Sequence, residues 1–265
     1  MTTDHRSCAS RPHWARPALS ALVLSVAAAA LGAEGQQPLG VYVVAKKLDA
    51  ASPPSKEELK RAKQSLADAK KATQQLTDRL RREHGKEWAK WPEDQRELVR
   101  VAANTYGDPA FIVFYDKPNK QEDADDSADN LKTTIEGKGL FHGKKESIRI
   151  VPTAEDAHLM VEVVARKKVG LSGPYVTRYI AVKVSAGGRL APGVLAKLEL
   201  GGAAKGTANP FDHWGGFSVY HFPTPEKPFA VFESSSSHYW STTAGVLGKH
   251  LATLIDSNYA LLSGQ

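Results

Sequence analysis

The chain is 265 residues long, 42% hydrophobic and 24% charged, with 35 Lys and Arg against 29 Asp and Glu and a single cysteine. That length allows one large or two small domains with a core that needs no staples. The formal charge of +6 is spread as interspersed signs, which describes a solvated mixed surface and gives no sign of the concentrated basic run of a nucleic-acid binder. One cysteine excludes a disulfide framework.

The opening stretch HRSCASRPHWARPALSALVLSVAAAALGAEG orders a basic leader (Arg6, Arg11, Arg16), an apolar run from Ala18 to Leu31, and small residues after it. That order predicts a secretory signal peptide over 1–33, cut between Ala30 and Glu34. The run is about fourteen residues, short of the ~20 of a spanning helix, so no transmembrane segment is expected after signal removal. Cys8 precedes the run and leaves with it, so the protein is not expected to be a lipoprotein, and thiol catalysis is excluded. The expected destination is the periplasm or the exterior of a bacterial-type cell, which discounts chemistry dependent on cytoplasmic ATP or NAD. Without residues 1–33 the balance is 32 basic to 28 acidic residues, or +4. This suits an envelope protein or an anionic envelope polymer as partner; no nucleic acid and no cofactor are expected.

Residues 34–265 are read as a single α+β domain, with a boundary near 120–127 as the alternative. LGVYVVAKKL (39–48) is β-rich and predicts an opening strand. After Pro53 and Pro54, Ser55 and Glu58 form a capping box, in which the hydroxyl and the carboxylate three residues on satisfy free amides. The helix they start is predicted to run to about Glu83. Its apolar positions Leu59, Ala62, Leu66, Ala69, Leu76 and Leu80 make a narrow stripe. A break at Gly85 and two tryptophans precede a second helix entered through Pro92 and predicted to end at Gly107. FIVFY (111–115) reads as a buried strand, DKPNKQEDADDSADN as an acidic connector, and Ala128 to Glu136 as a short helix.

From Ser147 the pattern turns to strands: SIRIV, AHLMVEVVARK, YVTRYIAVKVSAG and VLAKLELGG. Leu159, Val161, Val163 and Ala165 are placed on one face, and Ile180, Val182 and Val184 on one face of the next strand. Short links between them predict an antiparallel meander. GGFSVYHF and KPFAVFES flank PTPE as a hairpin, and a last helix capped by Ser241 or Thr242 carries a core stripe of Leu247, Leu251, Leu254 and Ile255. The fold class expected is therefore α+β: a mainly antiparallel sheet with long N-terminal helices and a closing C-terminal helix. The run from the charged loop through AEDAHLMVEVVAR into the meander resembles, in pattern, small sensing or assembly domains of bacterial envelope proteins. No functional residue is carried across from that likeness.

Several motifs fail on spacing. Asp123, Asp125, Ser127 and Asp129 match the first four ligand positions of a calcium loop, yet Ala128 and Thr134 stand where its glycine and bidentate acid belong. GKGLFHGKK (137–145) misses both phosphate-loop spacings. GFSVY has Tyr220 in place of the second glycine of a hydrolase elbow. No catalytic residue is assigned.

The remaining candidates lie around the hairpin. A register with Phe222 opposite Phe229 sets Val219 opposite Phe232, His221 opposite Ala230 and Ser218 opposite Glu233. It also sets His213 opposite His238 and Asp212 opposite Tyr239. Asp212, His213 and His238 are the metal candidates, since imidazoles and a carboxylate are zinc ligands. Trp214, Glu233, Tyr239 and Trp240 are the binding candidates. The expected function is a non-catalytic envelope binding or assembly module; the alternative is an extracytoplasmic hydrolase with a non-standard site near this hairpin.

Overall fold

A computed structural model describes residues 37–47, 54–114, 120–137, 147–170, 176–198, 200, 217–224, 226–235 and 239–265. The strands are β1 (Leu39–Ala45), β2 (Ile148–Ile150), β3 (Leu159–Val169), β4 (Thr177–Ala186), β5 (Phe217–Val219) and β6 (Phe229–Ser235). They form one sheet in the order β2-β1-β3-β4-β6-β5. The helices are α1 (Lys56–His84), α2 (Glu93–Asn104), α3 (Gly107–Phe114), α4 (Gln121–Ile135), α5 (Trp240–Ser257) and α6 (Tyr259–Ser263). The architecture is α+β in broad outline.

The sheet is mixed and not an antiparallel meander throughout. β3, β4, β6 and β5 pair antiparallel, but β1 runs parallel to both β2 and β3. Parallel neighbours need a long crossover, and four helices separate β1 from β2 in the chain. The short links between later strands say nothing about a strand that joins them after so long a passage.

Side-chain alternation sends one set of residues to each face. Val161, Val163, Ile180, Val182, Val184, Phe229 and Val231 join Leu131 and Ile135 of α4 and Leu247, Leu251, Leu254 and Ile255 of α5 in the main core. The other face carries Ala165, Ala181, Ala230 and Phe232 beneath Ala110 and Phe111 of α3. Ala165 departs from the face assigned to it. The pairing runs from Val163↔Val182 to Ala165↔Ala181, so Val164 is an extra residue that turns Ala165 to the opposite side, as a bulge does.

α1 has the predicted capping box: Glu58 N–H donates to Ser55 Oγ at 3.2 Å, and Ser55 N–H to the Glu58 carboxylate at 2.8 Å. It closes at Gly85, where φ of +84° favours glycine and Gly85 N–H donates to the Arg81 carbonyl. Trp91 Nε1–H then donates to the Gly85 carbonyl at 2.9 Å, fixing the corner into α2, whose N-cap is Pro92.

Four further elements differ from their sequence patterns. Residues 111–114 are the second half of α3 and not a strand, because this eight-residue helix is apolar on nearly every side and shows no helical period. α4 starts at Gln121 rather than Ala128, drawing the acidic segment into the helix, with Glu122 and Asp123 in the first turn where the helix dipole favours them. Leu195–Lys197 is a 3-10 turn rather than a strand; three residues per turn bring Leu195 and Leu198, both buried, to the same side. α5 begins at Trp240, and Tyr239 occupies its N-cap without a side-chain bond, so neither Ser241 nor Thr242 caps it.

The hairpin forms one residue off the predicted register. Val219 pairs with Val231 and Ser218 with Phe232. Thr224 and Lys227 exchange backbone bonds at the turn, while Tyr220 N–H donates to the Ala230 carbonyl. The turn therefore keeps the predicted pairing, and the slip falls between Tyr220 and Thr224, at His221–Phe222–Pro223.

Candidate functional site

Glu233 lies mid-strand on β6, paired with Ile180 of β4 and Phe217 of β5, and is 0% exposed. Its Oε1 accepts the Ser234 N–H at 2.9 Å. Its Oε2 has no hydrogen-bond partner among the described residues, although His250 Nε2 of α5 is 3.7 Å away. Burial pushes the Glu233 carboxyl up to about 8 and, with Lys249, draws His250 below its ordinary value. Removing a charge from water costs more than this pair regains, so at neutral pH both groups are uncharged. An acid beside an imidazole has the composition of a proton-transfer pair, but Glu233 is sealed beneath α5, with no surface for a substrate to reach.

The other candidates at this end of the sheet are Tyr239, which is 70% exposed, and Trp240. Two guanidiniums lie over the Trp240 ring, Arg166 at 4.5 Å and Arg178 at 5.6 Å from its centroid. Arg166 also pairs with Asp123 and with Asp126 of α4. The aspartates that imitate a calcium loop are thus split by the helix: Asp123 pairs with Arg166, while Asp125 accepts from Gln121 and Asp129 from Lys132. Trp240 and its arginines lock the start of α5 onto β3, β4 and α4. Asp212, His213, Trp214 and His238 lie outside the described residues, and so does GKGLFHGKK beyond Gly137. Among the described residues no group of three His, Cys, Asp or Glu is placed to hold a metal.

Two recesses were not singled out from sequence. One is a cleft of about 440 Å³ between α2 and the 3-10 turn, lined by Trp88, Glu93, Arg96, Arg100, Lys197 and Phe222 among others. Arg96 and Arg100, four residues apart on a helix just after two tryptophans, were its available signal.

The second runs along β1. β2 covers only Leu39–Val41 of that edge; its last rung is the Val151 N–H to the Val41 carbonyl at 3.0 Å. In a strand, alternate residues turn their N–H and C=O to the same side. Leu39 and Val41 bond toward β2, while Gly40 and Lys46 bond toward β3 and the segment just before it. Val43 and Ala45 therefore face outward past the end of β2, and no bond from their backbone groups to that side occurs among the described residues. Val43, which is buried, and Ala45, which is half-buried, line a groove of about 1090 Å³ walled by Gln121, Asp125, Ala128, Asp129 and Lys132 of α4 and by Ile150, Val151 and Pro152. The edge could have been found only by knowing that β2 is three residues long.

No helix among the described residues is long and apolar enough to cross a membrane. No family model, curated protein or solved structure matches the chain.

Proposed function

We propose that this protein is an exported, non-catalytic binding or assembly module of a bacterial-type envelope, and that it takes an extended segment of a partner protein onto the free edge of β1. The observation that carries the reading is that edge: the half-buried Ala45 and, deeper, the buried Val43 turn N–H and C=O groups toward a groove and lack strand partners among the described residues. Unpaired strand edges template the addition of another chain unless they are covered, and strand addition supplies affinity through the main chain and selectivity through alternate side chains. The groove offers an apolar strip at Ala128, Ile150 and Val151 between Asp125, Asp129 and Lys132. It suits a segment with apolar and polar residues in alternation. Export follows from the N-terminal pattern of basic, apolar and small residues. The full burial of Glu233 further favours binding over hydrolysis at the hairpin.

A photo-crosslinker at Lys47, exposed at the mouth of the groove, should trap an envelope protein in the exporting cell. Ala45→Pro deletes one outward N–H at the end of the strand, where proline is tolerated on an edge, and should abolish the trap while the purified variant still melts cooperatively. Undiminished trapping by Ala45→Pro overturns strand addition.

A further inference from the structure

We propose that the cleft between α2 and the 3-10 turn at Leu195–Lys197 is an anion site for a ring-bearing carboxylate, of the class found as acidic sugar units in anionic polymers. This inference is independent of the β1 edge. The floor is apolar: Trp88 and Phe222 are buried and stack nearly parallel, 6.1 Å apart with 5° between planes, and buried Leu198 adjoins them. The walls are cationic. Arg96 and Arg100 project from the same side of α2, and the Arg100 guanidinium rests over the Phe222 ring at 5.6 Å. Lys197 stands among the lining residues with no ion-pair partner among the described residues. The space is large enough for one or two sugar rings, within the range of small-ligand pockets.

The geometry already displays how a carboxylate is held. Glu93 spans the two arginines, Oε2 against the Arg96 guanidinium and Oε1 accepting from Arg100 Nη1 at 2.5 Å. One planar carboxylate thus receives one guanidinium per oxygen, the arrangement for which arginine is suited, while Arg100 Nη1 also donates to the Glu97 carboxylate at 3.3 Å. Glu93 is 61% exposed, whereas each arginine is 27% exposed, so the arginines are fixed and the glutamate is the member free to swing away. Exchange of the Glu93 carboxylate for an external one costs little desolvation, because the arginines stay paired, and the ligand ring gains the apolar floor that Glu93 cannot cover.

The test is an NMR titration of the isotope-labelled protein at low salt, following the Trp88 indole N–H, with sodium glucuronate and inorganic phosphate as separate probes. Glucuronate should give saturable shifts. Glu93→Gln, which removes the competitor that spans both arginines and leaves Glu97 on Arg100, should tighten binding about tenfold, and Lys197→Gln, on an exposed side chain, should weaken it about threefold with the spectrum otherwise unchanged. Arg96→Gln should lose most of the affinity. No saturable shift in either the wild type or Glu93→Gln overturns the site. Weaker glucuronate binding by Glu93→Gln overturns the exchange, and phosphate binding more tightly than glucuronate overturns the carboxylate assignment.

Discussion

On the side of α4 and α5 the sheet raises Val161, Val163, Ile180, Val182, Val184 and Val231 against the leucines of α5; on the side of α3 it presents Ala165, Ala181 and Ala230 around the single ring of Phe232. The first face fills its volume from the sheet upward with many branched side chains of similar size. The second is low, so its volume descends from the helix as Phe111 and Phe114, whose rings lie 5.1 and 4.3 Å from Phe232, with Tyr220 edge-on at 4.2 Å. Packing shared among many aliphatics should tolerate small changes of shape and reject charge. Packing concentrated in one ring cluster should depend on that cluster.

The sharpest break is Val161→Asp. Val161 is 0% exposed and lies between Val43 and Val184 in the centre of the sheet. A carboxylate there is buried without a partner, at a cost of several kcal/mol, comparable with the ~5–15 kcal/mol that holds a domain folded. The variant should be insoluble or lack a cooperative thermal transition. A melt within about 5 °C of the wild type would show that this face is not the closed one.

Next in size is Phe232→Ala, expected to cost about 3–5 kcal/mol in urea unfolding, against about 0.5–1.5 kcal/mol for Ile180→Val on the first face. Similar costs for the two would mean that α3 settles onto the alanines when the ring is lost, and the contrast between the faces would disappear.

The same contrast explains what could be read from the chain. Ile180, Val182 and Val184 alternate with Tyr179, Ala181, Lys183 and Ser185, and a face of branched aliphatics against one of smaller or polar side chains leaves that period visible. The stripe Leu247, Leu251, Leu254 and Ile255 is visible for the same reason, as is the Ser55–Glu58 box, which involves only neighbours in sequence. α3 is hidden because Phe111 and Phe114 face the sheet while Val113 between them is also half-covered, so no period survives. The parallel partners of β1, the extra residue at Val164 and the one-residue slip at His221–Pro223 depend on contacts between distant segments. Glu233 was legible as an acid in a strand; its burial was not, since it takes β4 beside it and α5 above it to cover that position. The Arg96–Arg100 pair was present in the sequence, but Lys197 and Phe222 reach it from elements about a hundred residues later.

The smallest of the expected effects is read as a slope between pH 7 and pH 8, at most ~1.4 kcal/mol over that unit, and concerns a buried acid on the aliphatic face. In the unfolded chain the Glu233 carboxyl has its ordinary value of 4.5, and in the folded protein burial lifts it to about 8. Between those values the folded state holds a proton that the unfolded state has lost. The stabilising contribution is therefore complete below pH 4.5, declines as pH rises, and is gone above about 8, with a slope of at most ~1.4 kcal/mol per pH unit. His250 acts in the opposite sense. Its lowered folded value means that its contribution is present above 6.5 and is lost as pH falls through the folded value, so the two slopes overlap only on the acid side. Glu233→Gln keeps the shape of the side chain and cannot ionise. Its urea midpoint should exceed that of the wild type at pH 8, approach it at pH 5, and vary less between pH 7 and pH 8, where His250 is already neutral in both states. Parallel curves for the two proteins across that range would mean that Glu233 is charged when folded. The aliphatic face would then have to admit solvent or a cation at β6, and the difference between the two faces would lie in the size of their side chains alone.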